Sequence, residues 1–433
     1  MAQLPRPGGG PRSELAKRLV GFSTLPFLAA LIPLIALPFV SRAASLDDWA
    51  ALNVGLSVGA FAAAVGLVGW NVLGTPLVAM AGSPADQRAL YARSFYIRLS
   101  VVVISSALSA VVAVAISPAA SWAPAAAFAV ASALNGISLS WYAVGVASPR
   151  LVLLYEVIPR TIATALALGV VLLTGQVVWY GLLLCASVVV GVLAFHLDLD
   201  RRLLPRWPGW RTLRADVGDM RHAWGVESVG SLYANAPVPL AGIVASPIAA
   251  AAFASNDKIY RYGILGVGAA GNALQGWVLE TRDAVRRRRN LTAIVIMAVI
   301  AVIGWAVLAI LGPLLSGWLF GADKQGDPLA FHFFGIAFIG VTMSTPLIRN
   351  ILIPARKDRP VFVVTLIAAA GGVASMIALG TAFGIAGVAA GFAISEIVTL
   401  IACIVLTLRV GLHHKEVAPV VRSSPAEEET DEI

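Results

Sequence analysis

Seven ionisable residues, Glu156, Arg160, Glu227, Asp257, Lys258, Arg261 and Glu396, fall within or at the edge of stretches that are otherwise continuously apolar. A charge at the centre of a membrane helix costs roughly 2.5 to 3.5 kcal/mol to insert. Such residues must therefore face protein or a water-filled cavity. Glu156 with Arg160, and Asp257 with Arg261, stand four apart and have the spacing of intrahelical ion pairs. Local pairing leaves Lys258 as a cation without a neighbour on its own helix, with Glu227 and Glu396 as acids on other helices able to meet it. Asn256, Asp257, Lys258, Tyr260 and Arg261 make one unusually polar helical turn. A hydrated cationic patch of this kind, Lys258 and Arg261 foremost and Arg160 a further candidate, attracts an anionic headgroup such as a pyrophosphate. Glu227, Asp257 and Glu396 are the candidates for tuning those charges or for holding a coupling ion.

Other motifs carry no chemistry. Gly266, Gly268 and Gly271 match the dinucleotide fingerprint in letters, but they lie inside an apolar run rather than between a strand and a helix. Small residues so spaced let membrane helices approach closely. The five histidines, His196, His222, His332, His413 and His414, have no companions at metal-ligand spacing, and no phosphate-binding loop precedes a basic residue. Cys185 and Cys403 each sit alone in an apolar stretch. The sequence thus predicts no catalytic residue, no metal and no cofactor, and any pumping must draw on a gradient, the membrane potential or substrate concentration.

The elements that position these residues are transmembrane helices. Of 433 residues, 59% are hydrophobic and 12% charged, where a soluble domain carries about 25% charge. A span needs ~20 apolar residues, which leaves no room for a large soluble catalytic domain. Apolar runs bounded by charge, Pro, Gly or Asn predict spans over 19–40, 50–75, 99–116, 122–146, 151–173 and 177–195, then 224–244, 253–277, 291–311, 329–347, 361–383 and 385–408. Membrane strands would instead alternate over ~10 residues. The expected architecture is an all-α polytopic membrane protein, twelve helices in two pseudo-symmetric six-helix bundles around a central cavity. Its parts are an N-terminal tail (1–18), a first bundle (19–196), a basic linker (197–223), a second bundle (224–410) and a disordered tail (411–433).

Positive charge sets the orientation. The N-terminus, the even-numbered connections and the C-terminal tail hold 26 of the 31 Lys and Arg, against Arg42 and Lys324 on the other side. Both termini are expected in the cytoplasm of a cell-membrane protein, with the basic excess serving topology rather than nucleic acid. The first span, 22 mostly apolar residues, exceeds a signal-peptide core of ~7 to 15 and reads as a retained helix. Trp49, Trp122, Trp179 and Trp318 mark the outer boundary as interfacial anchors. Near the opposite ends, Lys17, Arg18, Arg98, Arg349, Arg356 and Lys357 are topology signals that can also guide an anion. Sliding the chain by 204 residues sets Pro33 on Pro237 and Trp49 on Phe253, an internal repeat of the kind from which transporters are built. Pro33, Pro38, Pro237 and Pro239 break the intrahelical ladder and are candidate hinges.

Several segments, in order, resemble the Wzx-like polysaccharide flippases of the multidrug/oligosaccharidyl-lipid/polysaccharide (MOP) exporter superfamily. They are Ile32-Pro33 with Leu37-Pro38-Phe39-Val40-Ser41-Arg42, the Asp47-Asp48-Trp49 turn, Ser140-Trp141-Tyr142-Ala143-Val144-Gly145, Ala254-Ser255-Asn256-Asp257-Lys258-Ile259, Leu319-Phe320-Gly321, and the Gly384 to Ala390 stretch with Ser395-Glu396. The resemblance implies two six-helix bundles in a V, alternating access, and movement of a polyprenyl-pyrophosphate-linked oligosaccharide from the inner to the outer leaflet for cell-surface polysaccharide synthesis. It implies membrane lipids, a polysaccharide polymerase and glycosyltransferases as partners, and places Lys258 at the substrate. The related peptidoglycan-precursor flippases have extra spans and several arginines in the first helices, and many cation-coupled drug exporters have an acid in the first span; this chain has neither charge there. A cation-coupled multidrug exporter of the same superfamily is the alternative. A membrane glycosyltransferase would need catalytic acids on sizeable loops, whereas the longest outer loop, 312–328, offers Asp323 and Asp327.

Overall fold

A computed structural model describes residues 35–279 and 283–410. Most of the first span, Pro33, Lys17, Arg18 and the acidic tail lie outside them. Among the described residues the chain is helical throughout, with no strand. We number the crossings α1 (35–43), α2 (Leu46–Leu67 with Trp70–Ala79), α3 (Pro84–Ile116), α4 (Trp122–Ala133 with Ser140–Gly145), α5 (Pro149–Val152 with Ile158–Thr174) and α6 (Val178–Asp200). The second set is α7 (Trp210–Asn235 with Pro237–Val244), α8 (Pro247–Leu279), α9 (Asp283–Ala306 with Gly312–Phe320), α10 (Pro328–Pro346), α11 (358–383) and α12 (385–410). Among the described residues, eight helices are long and apolar enough to cross a membrane outright, one of them Arg359–Arg409, which contains both α11 and α12. α7 and α8 are not among these eight; α7 carries the polar start 211–227, and α8 the Asn256–Arg261 turn followed by a glycine-rich stretch with Asn272 and Gln275. The protein is a multi-pass, twelve-helix membrane protein.

Local signals set the helix ends. Ser45 and Ser83 cap α2 and α3 by accepting the amides of Asp48 and Asp86, and Asp327 caps α10 by accepting from Ala330. α11 and α12 join without a loop because Gly384 adopts φ 61, ψ −142, a conformation closed to residues with a Cβ.

In lipid the hydrophobic effect does not drive helix association, so close packing of small residues must. α2 meets α4 in this way: a Cβ on Gly55 would strike the backbone of Ala125 and Ala129, and Ser132 donates to the Leu56 carbonyl at 3.0 Å. In the second half Gly340 of α10 lies against Glu396 of α12. Of the glycine series in α8, only Gly271 is close-packed, against Thr345; Gly266 and Gly268 face open space. The helix-approach role expected of all three therefore belongs to Gly271 alone.

The two six-helix halves meet at both ends. At the charge-poor end Trp49 Nε1 donates to Ser255 at 3.1 Å, the Trp49 ring lies 5.1 Å from Phe320, and Arg42 donates to the Trp318 carbonyl at 2.6 Å. Trp49 is fully buried and is not the interfacial anchor expected of it, because it sits where the second helix of each half crosses the other; Trp122, Trp179 and Trp318 are exposed at that end. At the basic end α7 bridges the halves, through Trp224 Nε1 on the Val65 carbonyl at 2.7 Å, Asn71 on Glu227 at 3.4 Å, and an Arg93–Asp216 ion pair. This part of α7 lies in the stretch expected as linker: residues 210–223 are helical, with Leu213, Asp216 and Met220 buried and Asp216 paired with Arg93 of α3.

Candidate functional site

Lys258 lies eleven residues past the start of α8, ~16 Å along the axis at ~1.5 Å per residue, close to the middle of a ~30 Å hydrocarbon layer. Around it the structure separates the residues of the polar turn. Asp257 is buried and accepts from Arg261 Nε at 2.6 Å, so the expected intrahelical pair forms. Arg261 also donates from Nη2 to the Ala234 carbonyl of α7 at 3.0 Å. That carbonyl borders a break: Pro237 has no N–H, the Tyr233 carbonyl takes the amide of Ala236 at 3.2 Å instead, and the helix resumes beyond it. The hinge candidates Pro237 and Pro239 thus stand at a real discontinuity, bridged by a charged side chain from α8. Around Pro38 the described segment 35–43 is continuously helical.

With Asp257 and Arg261 paired, Lys258 is a half-buried cation with no hydrogen-bond or ion-pair partner among the described residues. Neither acid expected to meet it does so. Glu227 accepts from Asn71, and Glu396 accepts from the Tyr233 hydroxyl at 2.8 Å. Glu396 is itself eleven residues into α12, buried between α7 and α10 beside Gly340. The α7 break therefore carries, at Tyr233 and Ala234, contacts to α12 and to α8.

Three substrate-contact candidates are placed otherwise. Asn256 is fully buried, and its amide clamps Asp327, donating to the carbonyl at 2.8 Å and accepting the amide at 3.0 Å; it holds the α9–α10 connection. Tyr260 is buried in an aromatic cluster with Phe334 at 5.1 Å and Phe392 at 5.7 Å. Arg160 is in the other half, bonded to Asn135 of α4, and lines a cavity of about 190 Å³ with residues of α4, α5 and α6. The Glu156–Arg160 pair does not form. A π turn over Leu153–Val157 shifts the register, and Glu156 instead accepts from Ser138 Oγ, the Leu139 amide and Ser140 Oγ, each at 2.7 Å.

Arg98, read from sequence as a basic residue at a helix mouth, is fully buried. α3 begins at Pro84, so Arg98 is well inside it. It donates to Ser94 at 2.8 Å and to the carbonyls of Gly136 and Ser138 at 3.3 and 2.6 Å, beside the Trp141 ring. α4 is discontinuous at 134–139, and backbone freed inside a membrane must be satisfied by protein. Arg98 supplies donors to one side of the break and Glu156 an acceptor to the other. The Asn135-Gly136 pair and three serines within 138–148 were the available signal in the sequence.

An apolar groove of about 510 Å³ runs between the halves, walled by Phe61 and Val65 of α2, Leu108 and Val112 of α3, and Leu232 and Pro239 of α7. Asn235 and Ala236 line it, so it adjoins the α7 break that Arg261 braces.

No family model matches the sequence, and no curated protein does. Solved structures do match in shape. The lipid II flippase MurJ in an inward closed conformation superposes with a TM-score of 0.71 at 11% identity, over 89% of this chain and 87% of that one. An inward-facing multidrug resistance MATE family transporter of the MOP superfamily gives 0.54 at 16%, over 89% and 93%. The eukaryotic MATE transporter AtDTX14 gives 0.53 at 14%, over 92% and 96%. Taken with the helix order and the meeting of α2 with α8, the chain has the twelve-helix, two-lobe fold of the MOP superfamily transporters.

Proposed function

We propose that this protein flips polyprenyl-pyrophosphate-linked oligosaccharide units from the inner to the outer leaflet of the cell membrane by alternating access, with its basic end in the cytoplasm. The observation that carries the reading is Lys258: a mid-membrane cation left without a protein partner while Asp257 and Arg261 neutralise each other. An unpaired cation at that depth is costly unless a ligand or water meets it, and a diphosphate is the ligand of matching charge. Arg261 contributes at the same turn, while Asn256 and Tyr260 position it. The apolar groove beside α7 has the lining a polyprenyl chain requires, and it shares the α7 break with the cationic turn. Rocking of the halves about that break, at Pro237 and Pro239, would expose the turn first to one face and then to the other. A polysaccharide polymerase and glycosyltransferases are the partners this role requires.

One observation favours a second reading, a cation-coupled small-molecule exporter. Glu396 is a buried acid at mid-membrane depth whose hydrogen bond comes from the Tyr233 hydroxyl of another helix, an arrangement suited to taking up and releasing a cation. The two readings separate in reconstituted vesicles. A fluorescent polyprenyl-pyrophosphate-linked sugar should become accessible on the far side only when the protein is present, and Lys258→Ala should abolish this at equal protein incorporation. Expulsion of cationic dyes driven by an ion gradient, without movement of the lipid-linked sugar, would establish the exporter instead.

A further inference from the structure

A cavity of about 600 Å³ opens at the basic end, between the first turns of α3 and the connection 201–209 that joins the two halves. Four arginines line it, Arg88, Arg93, Arg202 and Arg206, with one acid, Asp200. Arg93 is neutralised by Asp216 and Arg88 stands 3.8 Å from Asp200. Arg202 and Arg206 have no hydrogen-bond or ion-pair partner among the described residues and are exposed.

The connection is built rather than loose. His196 Nδ1 bonds the Leu203 carbonyl at 2.8 Å; because a carbonyl only accepts, this nitrogen carries the proton and Nε2 takes the Tyr91 hydroxyl at 2.9 Å. Tyr96 donates to the Pro205 carbonyl at 2.8 Å, and its ring meets Trp207 edge-on at 4.7 Å. With its carbonyls held from below, the segment turns its side chains outward: Leu203, Leu204 and Trp207 are about half exposed and Trp210 is 77% exposed.

We propose that this cavity binds the phosphate headgroup of an anionic membrane phospholipid, with Arg202 and Arg206 on the phosphate and Leu203, Leu204, Trp207 and Trp210 in the adjoining acyl and interfacial layer. The apolar and aromatic side chains decide for a lipid over a free anion. A soluble phosphate gains nothing from them, whereas Trp beside basic residues at a helix end is the pattern that seats a protein at the headgroup level. The site is separate from the Lys258 turn, and it clasps the connection through which the two halves are joined.

The test uses the full-length protein in neutral detergent, with phosphatidylglycerol, phosphatidylcholine and inorganic phosphate titrated separately and bound lipid counted by native mass spectrometry. Phosphatidylglycerol should bind in preference to phosphatidylcholine, and Arg202→Gln with Arg206→Gln should weaken it about thirtyfold, as two surface cations contribute. Arg287→Gln with Arg288→Gln, at the same end but outside the cavity, should leave it within about twofold. Equal losses in the two double variants would reduce the effect to diffuse charge and overturn the site. So would equal binding of the two lipids. Displacement of phosphatidylglycerol by millimolar inorganic phosphate would overturn the lipid assignment in favour of a free-anion site.

Discussion

Lys258→Gln and Asp257→Asn should separate transport from stability in opposite ways. Lys258 Nζ has no partner among the described residues, so removing its charge breaks no bond and relieves the cost of a half-buried cation. Folded stability should stay within about 0.5 kcal/mol of wild type or rise. Asp257→Asn instead replaces the carboxylate at 2.6 Å by a neutral amide, whose oxygen can still accept from Arg261 but leaves its buried charge without a counter-charge. Breaking a fully buried ion pair costs about 3 to 5 kcal/mol. Since the Arg261 side chain is 33% exposed against 2% for Asp257, solvent offsets part of this and about 2 to 3 kcal/mol is expected. For transport the order reverses. A cation ~4 Å from a phosphate at an effective dielectric of ~20 contributes about 4 kcal/mol, so losing Lys258 should reduce flipping by two to three orders of magnitude. The assays are denaturation in detergent and flipping of a fluorescent polyprenyl-pyrophosphate sugar at matched incorporation. Wild-type flipping by Lys258→Gln, or destabilisation of that variant as large as that of Asp257→Asn, would refute the assignment of Lys258 as the free cation.

Arg98→Leu should destabilise the protein by about 3 kcal/mol or more, because the Gly136 and Ser138 carbonyls at the α4 break lose their donors; Arg98→Lys should recover part of this, as one ammonium cannot span the positions of a guanidinium. Thermal denaturation of both variants checks it, and equal stability of Arg98→Leu and wild type would contradict the account. Asn256→Leu breaks two hydrogen bonds to Asp327 and should cost about 2 to 3 kcal/mol while leaving the preference for one transported molecule over another unchanged. Glu396→Gln keeps an acceptor for the Tyr233 hydroxyl, so the protein should remain folded. If Glu396 holds the coupling ion, transport by that variant should no longer respond to an imposed proton or sodium gradient, and a retained response would assign coupling elsewhere.

Sequence alone determined the number, order and approximate bounds of the crossings, because a hydrocarbon layer demands ~20 apolar residues per span wherever they pack. The bounds failed where a helix outruns the layer: α3 starts at Pro84 rather than at 99, and α7 at Trp210 rather than at 224. Polar helix outside the apolar layer leaves no hydropathy signal, so hydropathy alone puts Arg98 at a helix mouth and 210–223 in a linker. Intrahelical geometry was legible where the helix is regular, as for Asp257 and Arg261, and was lost at Glu156, where a π turn that spacing cannot reveal changes the register. The polar turn 256–261 of α8 was legible as a cluster of residue types; its division into a free cation, a neutral pair, a loop clamp and an aromatic core residue was not. That division depends on which side chains of α7, α10 and α12 stand beside α8. Contacts between helices distant in sequence fix those neighbours, and only the tertiary structure decides them.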